Sequence, residues 1–474
     1  MLGLDKARRL ELWGRLVEGL ESYWEGVQAA RVTPELDPAR VRAYLSTVDF
    51  AHPLEPLQAL EFALQGLWQY QTHTPHPRYF GLFNPAPTTM GIAADALVAA
   101  FNPQLAAWSH SPFAIEVEQF LVRAFSARFG YHPSLADGVF TTAGAEANHT
   151  ALLTALAQAF PEFLEQGLKA LAAQPVFYVS SESHHSFLKA ARLTGLGSGA
   201  VRQVPVDGRF QMEAAALPEI IRGDKGQGRA PFMVVATAGT TSAGIVDPIG
   251  RIAQVAAEHG LWFHVDAAWG GAAALSGKLR PALAGIELAD SITFDAHKWL
   301  SVPMGAGMYL TRHPEILKRT FGLTTEYMPR EAAGLDVADP YARSMQWSRR
   351  FIGLKVFLSL LVAGWEGYAQ AIEHQAAMGD QLRLKLAEAG WEVVNATPLP
   401  VACFVDRQNP NAPLEQIARA VVLSGKAWIS TTRLGGSIEV LRACITNYRT
   451  GPQDLEALVE ALNEARASLS LPAG

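Results

Sequence analysis

Ser291-Ile-Thr-Phe-Asp-Ala-His-Lys-Trp-Leu300 is a short apolar run that stops at polar residues, Asp295, His297 and Lys298. Upstream, Trp262-Phe-His-Val-Asp-Ala-Ala-Trp269 behaves the same way and stops at Asp266. Lys298 follows Asp266 by 32 residues. A lysine amine can form an imine with an aldehyde, and an aspartate can hold a proton on a pyridine nitrogen. The two together are what pyridoxal phosphate requires to serve as an electron sink.

The residues around these runs alternate in texture. β-rich runs fall at Val139–Thr142, Val176–Ser180, Val201–Val206, Phe232–Thr237, Trp262–Asp266, Ile292–Phe294 and Gly307–Thr311. Helical patterns lie between several of them, at Ala145–Phe160, Ser186–Leu193, Met212–Arg222 and Pro248–His259. Asp247 reads as the N-cap of the last, with Pro248 in its first turn and Gly260 just past its end. Strands alternating with helices imply an α/β fold with a mainly parallel sheet covered on both faces. Ligands of such sheets sit beyond the carboxyl ends of the strands, where Asp266 and Lys298 fall.

Three segments are expected. Residues 1–85 form a helical arm, with apolar positions at helical spacing in 7–29 (Leu10, Trp13, Leu16, Leu20, Trp24) and 54–71 (Leu57, Leu60, Leu64, Leu67, Trp68). Their apolar faces need a cover, either a second subunit or the rest of this chain. Residues 86–365 carry the α/β pattern. Residues 366–474 read as a small α+β domain, with a helix over 370–389, strands at Trp391–Val394, Val401–Val405 and Val440–Thr446, and a helix over 453–468.

The 474 residues are 49% hydrophobic, enough for a large core, and the formal net charge is −6. That balance and the lack of a long Lys/Arg run argue against a nucleic-acid partner. No apolar run is long enough for a membrane span. The two cysteines, Cys403 and Cys444, sit in apolar runs, which argues against disulfides and against a metal site. With no signal-peptide pattern at residues 1–9, a cytoplasmic protein is expected.

Other residues could carry chemistry. Gly138-Val-Phe-Thr-Thr-Ala-Gly-Ala-Glu-Ala-Asn-His-Thr150 reads as strand, small-residue turn and helix, a seat for an anion near Gly144 and Ala145. His184 and His185 follow another strand, and an imidazole there could stack on a pyridine face or merely cap a helix. Thr240, in Thr237-Ala-Gly-Thr-Thr-Ser242, could meet a cofactor oxygen or belong to a polar turn.

With these motifs in place, the chain resembles the group II pyridoxal-phosphate-dependent amino acid decarboxylases, of the aspartate-aminotransferase fold (fold type I). The likeness runs from His76-Pro-Arg-Tyr-Phe80 to Val440-Leu-Arg-Ala-Cys-Ile-Thr-Asn-Tyr-Arg449. It implies a seven-stranded sheet, pyridoxal 5′-phosphate as cofactor, an amino acid substrate, and a homodimer with its sites at the subunit interface. By that likeness Lys298 is the imine lysine, Asp266 the partner of the ring nitrogen and His185 the stacking residue. Gly144, Ala145 and His297 fall at phosphate positions, Thr240 and Ala268 at ring contacts. Tyr341, in the loop-like segment 322–345, matches a lid tyrosine that donates a proton to Cα; relatives with Phe there tend to make aldehydes. Arg442 is expected to bind the substrate carboxylate bidentately. Phe80, Leu82, Phe83 and Trp108 are candidate pocket residues.

The family's Asn-Pro-His-Lys is Asp295-Ala-His-Lys298 here, which puts an acid near the phosphate. The His297-Lys-Trp299 pattern and Leu441-Arg through Asn447-Tyr-Arg-Thr450 resemble the aromatic amino acid branch, whereas Asp266-Ala-Ala-Trp-Gly-Gly271 and His76-Pro-Arg78 are similar to the glutamate and cysteine-sulfinate branch. Decarboxylation of an aromatic L-amino acid is the expected activity. An acidic substrate, an aldehyde synthase and a catalytically inactive scaffold are the alternatives.

Overall fold

A computed structural model describes residues 2–323 and 334–470. The part of the expected lid at 324–333, including Pro329, lies outside the described residues. In chain order the helices are α1 (Lys6–Gly26), α2 (Pro38–Leu45), α3 (Pro56–Tyr70), α4 (Thr89–Phe101), α5 (Pro112–Arg128), α6 (Gly144–Ala159), α7 (Phe163–Gln166), α8 (Ser186–Leu193), α9 (Leu217–Gly226), α10 (Ile249–His259), α11 (Ile316–Phe321), α12 (Gly353–Glu388), α13 (Leu414–Ser424) and α14 (Pro452–Ser470). The strands are β1 (Asp137–Thr141), β2 (Pro175–Ser180), β3 (Val201–Val204), β4 (Ala230–Thr237), β5 (Trp262–Asp266), β6 (Ser291–Asp295), β7 (Gly307–Thr311), β8 (Trp391–Val393), β9 (Val401–Asp406), β10 (Ser430–Leu434) and β11 (Ile438–Cys444).

β1–β7 form one sheet in the order β1-β7-β6-β5-β4-β2-β3. β3, β2, β4, β5 and β6 run parallel; β7 is antiparallel to both β6 and β1. One face packs against α6, α8 and α11, the other against α5, α9 and α10. Burial on both faces explains why all five residues of β5 and of β6 are buried, the polar His264, Ser291 and Thr293 included. The register sets Thr237 beside Asp266 and Asp266 beside Thr293, so the carboxyl ends of β4, β5 and β6 open at one place.

β8–β11 form a second, antiparallel sheet in the order β10-β11-β9-β8, packed against α12, α13 and α14. α12 is 36 residues long and bends at Gly364 (φ 61°, ψ 179°). The expected domain boundary at 365/366 falls inside this helix, next to the bend.

Several elements differ from expectation. The expected helix over Met212–Arg222 starts instead at Leu217, with Pro218 in its first turn. Met212 is drawn into a bridge with Val206, and its N–H donates to Asp247 Oδ1 at 2.8 Å. Asp247 therefore does not cap α10. Its other oxygen accepts from Thr237 N at 2.8 Å, tying β4 to the turn after it. Gly260 does end α10, in the left-handed conformation (φ 67°) that favours glycine. β10 and α13 were not anticipated: the residues of β10 are mostly half-exposed and polar, and give little alternation.

In the arm, Asp5 caps α1 and Pro56 starts α3. No residue of either helix is buried, and Leu10, Trp13, Val17, Leu20, Leu67 and Trp68 remain exposed. Among the described residues no helix is long and apolar enough to cross a membrane.

Candidate active site

β5 ends at Asp266, which is 5% exposed. Its Oδ1 accepts from Ala268 N at 3.1 Å and its Oδ2 from Asn148 Nδ2 at 2.8 Å. A carboxylate this buried is stable only when its oxygens have such donors or a cation. Asn148 lies one turn into α6, four residues after Gly144, so it faces the strand end from the helix whose first turn borders the same cleft. It escaped the sequence reading; its spacing from Gly144 was the available signal.

β6 ends at Asp295, and the turn after it carries His297 and Lys298. Lys298 Nζ lies 2.9 Å from Asp295 Oδ2. The approach is too oblique for a hydrogen bond, and among the described residues neither oxygen of Asp295 has a hydrogen-bond donor. Asp295 is 1% exposed, so Lys298 supplies the nearest compensating charge. His297 Nδ1 accepts from Ala306 N at 3.1 Å, which leaves a neutral ring with its proton on Nε2, 3.9 Å from Asp295 Oδ2. Burial holds His297 below the ordinary imidazole range, with Asp295 opposing that shift.

α6 starts at the same cleft. No side chain caps it, so its first N–H groups are free to meet an anion. A Cβ on Gly144 would come 2.8 Å from Asp295 Oδ2 and 3.1 Å from Ala268 Cβ, so only glycine lets the helix start approach this closely. Ala268 N–H serves Asp266 and its carbonyl accepts from Asp295 N at 3.0 Å, linking the two strand ends.

His184 and His185 line a cavity of about 600 Å³ together with Leu82, Glu182, Arg433 and Arg442. His184 is open at its edge but flanked by protein, and that desolvation holds it below its ordinary range; Asp266 and Asp295 pull it up, Lys298 and His185 push it down. His184 thus feels the same charges that surround Lys298. Ser242 Oγ donates to Glu182 Oε2 at 2.6 Å, which gives that hydroxyl a structural use.

Several expectations need correction. Thr240 is fully buried, and its Oγ1 accepts from Ile245 N at 3.1 Å, so it stabilises its own turn. Phe80 belongs to the small-sheet core, whereas Phe83, three residues on, stacks on Trp269 (4.7 Å) and lies 5.6 Å from Lys298 Nζ. Arg442 spends Nε on the carbonyls of Thr241 and Ser242 and Nη1 on that of Gly81; Nη2 alone is unpartnered, which weakens a bidentate grip on a carboxylate. Trp108 donates from Nε1 to Glu116 and from its backbone N to Asp339, so it braces the segment before Tyr341. Tyr341 stacks on Trp347 at 5.2 Å.

Behind Asp266, His264 is fully buried, and burial lowers its pKa from 6.5 to about 4. The folded protein keeps it neutral where the unfolded chain would protonate it. Its contribution to stability is whole above 6.5 and is lost as pH falls toward 4. The gap is worth about 3 kcal/mol. In urea unfolding, the stability difference between wild type and His264→Phe is expected to narrow by about that amount from pH 7 to pH 4. A difference that stays constant contradicts this reading.

A buried acid at one strand end, a lysine with a counter-charge at the next, and an uncapped helix start beside both fit pyridoxal 5′-phosphate. The comparisons agree. Residues 45–406 match the pyridoxal-dependent decarboxylase conserved domain. An aromatic-L-amino-acid decarboxylase of Bacillus atrophaeus is 30% identical over 99% of this chain and 98% of that protein. A cysteine sulfinic acid decarboxylase of Mus musculus is 33% identical over 71% of this chain and 68% of its own length. A crystal structure of mouse CSAD superposes with a TM-score of 0.90 at 27% identity, covering 98% of this chain and 99% of that one. Oryza sativa TDC with PLP and tryptamine shares the fold, with a TM-score of 0.92 at 24% identity over 99% and 100% of the two chains. The chain belongs to the pyridoxal-dependent decarboxylase family. It is a carboxy-lyase acting on an amino acid, and its cofactor is pyridoxal 5′-phosphate.

Proposed function

We propose that the chain decarboxylates an aromatic L-amino acid of the tryptophan, tyrosine or dihydroxyphenylalanine type to its amine and CO₂. The observation that carries this is the Phe83 ring, 5.6 Å from Lys298 Nζ and backed by the buried Trp269. The Bacillus atrophaeus relative, alike over nearly the full length, supports the same class.

When bound, pyridoxal 5′-phosphate would supply the electron sink for the pair left by the departing CO₂. Lys298 is the residue proposed to hold it covalently. Asp295 would pair with the Lys298 ammonium and take its proton when the amine must be free. Asp266 would keep a proton at the ring nitrogen. Gly144 and Ala145 offer backbone N–H groups to the phosphate, and His297 an Nε2–H. His184, which feels the charges of Asp266, Asp295 and Lys298, is assigned to stacking in place of the expected His185, which stands at the start of α8, and Ala268 to the opposite ring face. Tyr341, once clear of Trp347, would donate the proton to Cα; a tyrosine here favours simple decarboxylation over aldehyde formation.

A homodimer with its sites at the interface is supported by the uncovered apolar faces of α1 and α3. A cytoplasmic location agrees with two free, buried cysteines, whose thiols burial pushes up to about 12. Residues 1–85, 86–365 and 366–474 are assigned as arm, cofactor domain and small domain.

A second reading, an acidic substrate, is favoured by Arg433 and Arg442 in the cavity beside His185. A panel of amino acids assayed for CO₂, amine, ammonia and peroxide separates the readings. More CO₂ from tryptophan, tyrosine or dihydroxyphenylalanine than from glutamate is expected. The reverse order contradicts the aromatic assignment, and stoichiometric ammonia and peroxide contradict simple decarboxylation.

A further inference from the structure

Asp266 is the start of a buried chain of hydrogen bonds that leads away from the cleft. An ionised carboxylate only accepts, so the Asn148 group facing Asp266 Oδ2 at 2.8 Å must be its Nδ2 amine, which also donates to Ser186 Oγ at 3.0 Å. That turns Asn148 Oδ1 toward His264 Nε2, 3.2 Å away. Nε2 must then carry the imidazole proton, with Thr293 Oγ1 at 3.3 Å as a second contact. Nδ1 is left as an acceptor, and Ser291 Oγ lies 2.8 Å from it. Ser291 Oγ in turn accepts from Trp262 Nε1 at 2.9 Å, and an indole N–H can only donate.

The chain Trp262, Ser291, His264, Asn148, Asp266 therefore has one polarity, with every proton directed toward the carboxylate. The β5–β6 register makes it possible by placing His264 opposite Ser291, two residues before Asp266 on the same sheet face. All five side chains are buried.

We propose that His264 is a positioning residue of the active site, which acts through Asn148 to hold the Asp266 carboxylate aimed at the ring nitrogen of the cofactor. This rests on the reading of Asp266 as the partner of that nitrogen. Remove the Nε2–H donor and the Asn148 amide is free to flip; its carbonyl would then face the carboxylate, acceptor against acceptor, and push it out of line with the ring nitrogen. Burial holds His264 neutral, as described above, and a protonated ring would donate from Nδ1 and break the link to Ser291.

The alternative is a core histidine whose loss affects only folding. The test titrates pyridoxal 5′-phosphate into apoprotein and measures the dissociation constant by absorbance and fluorescence, alongside kcat and KM. In His264→Phe the dissociation constant is expected to rise about 10-fold and kcat to fall about 10-fold, with KM within about twofold of wild type. Asn148→Ala should show the same losses, and the double variant should be no worse than Asn148→Ala alone, because the two residues act in series. His264→Gln, which can present an N–H toward Asn148, should recover most of both. If His264→Phe does not fold, Ser291→Ala serves in its place, with a rise of about threefold in the dissociation constant expected.

Cofactor affinity and kcat within twofold of wild type in His264→Phe, or losses that multiply in the double variant, overturn the proposal. So does an unchanged dissociation constant in Ser291→Ala. If Asp266→Asn loses turnover while the His264 and Ser291 variants match wild type, the positioning role alone fails. If wild type itself takes up no cofactor, the reading of Asp266 fails with it.

Discussion

Lys298→Ala is expected to abolish the visible absorbance band that wild type acquires with pyridoxal 5′-phosphate, and to reduce CO₂ release by about 10³-fold or more. The chemistry needs an amine at this position, and alanine supplies none. The structure adds a second consequence. Asp295 is almost wholly buried and has no hydrogen-bond donor among the described residues, so the ammonium of Lys298, 2.9 Å away, is its nearest compensation. Removing one member of such a pair strands the other. Apo Lys298→Ala should therefore be less stable than wild-type apoprotein by about 2–3 kcal/mol at neutral pH, less than for a fully buried pair because the lysine side chain is 23% exposed. Adding Asp295→Asn should restore most of that stability and none of the activity. Unchanged turnover in Lys298→Ala, or a stability loss that Asp295→Asn deepens, contradicts this account of the site.

Asp266→Asn should behave differently. The covalent link to Lys298 does not depend on Asp266, so the absorbance band is expected to survive. Turnover should fall about 10²–10⁴-fold, because a neutral amide cannot hold a proton at the ring nitrogen and the electron sink becomes shallow. The amide also fits its own surroundings poorly. Ala268 N–H and Asn148 Nδ2 both point donors at this side chain, and one of them would meet an NH₂ group. A stability loss of about 1–2 kcal/mol follows, without any change in the fold. Steady-state kinetics, absorbance and thermal melts on the same preparation check all three. A variant that keeps near-wild-type kcat rules out the proposed role of Asp266.

Much of this was legible in the sequence because buried parallel strands leave a strong trace. β5 and β7 and helix α8 fall where the sequence reading set them, and β6 differs by one residue at each end. β5 and β6 stop at Asp266 and Asp295, and those stops are residues that meet at the cleft. The rest depended on partners distant in the chain. Phe80 and Phe83 look alike in sequence, yet one is drawn into the core of the small sheet and the other toward Lys298. Asp247 has the local signature of a cap, but two backbone N–H groups 35 and 10 residues away claim its oxygens. Asn148 and His264 are polar residues inside apolar stretches, and only the β5–β6 register together with the placement of α6 brings them into one line with Asp266. Asp295 seemed out of place beside a phosphate; its pairing with Lys298, one turn further on, supplies a physical reason for an acid there.

The most direct test is to incubate the purified protein with pyridoxal 5′-phosphate, reduce with borohydride, digest, and map the phosphopyridoxyl group by mass spectrometry. The label is expected on Lys298 at near-unit stoichiometry, and absent from Lys298→Ala. A stoichiometric label on another lysine, or none in wild type, would contradict the assignment on which the site rests.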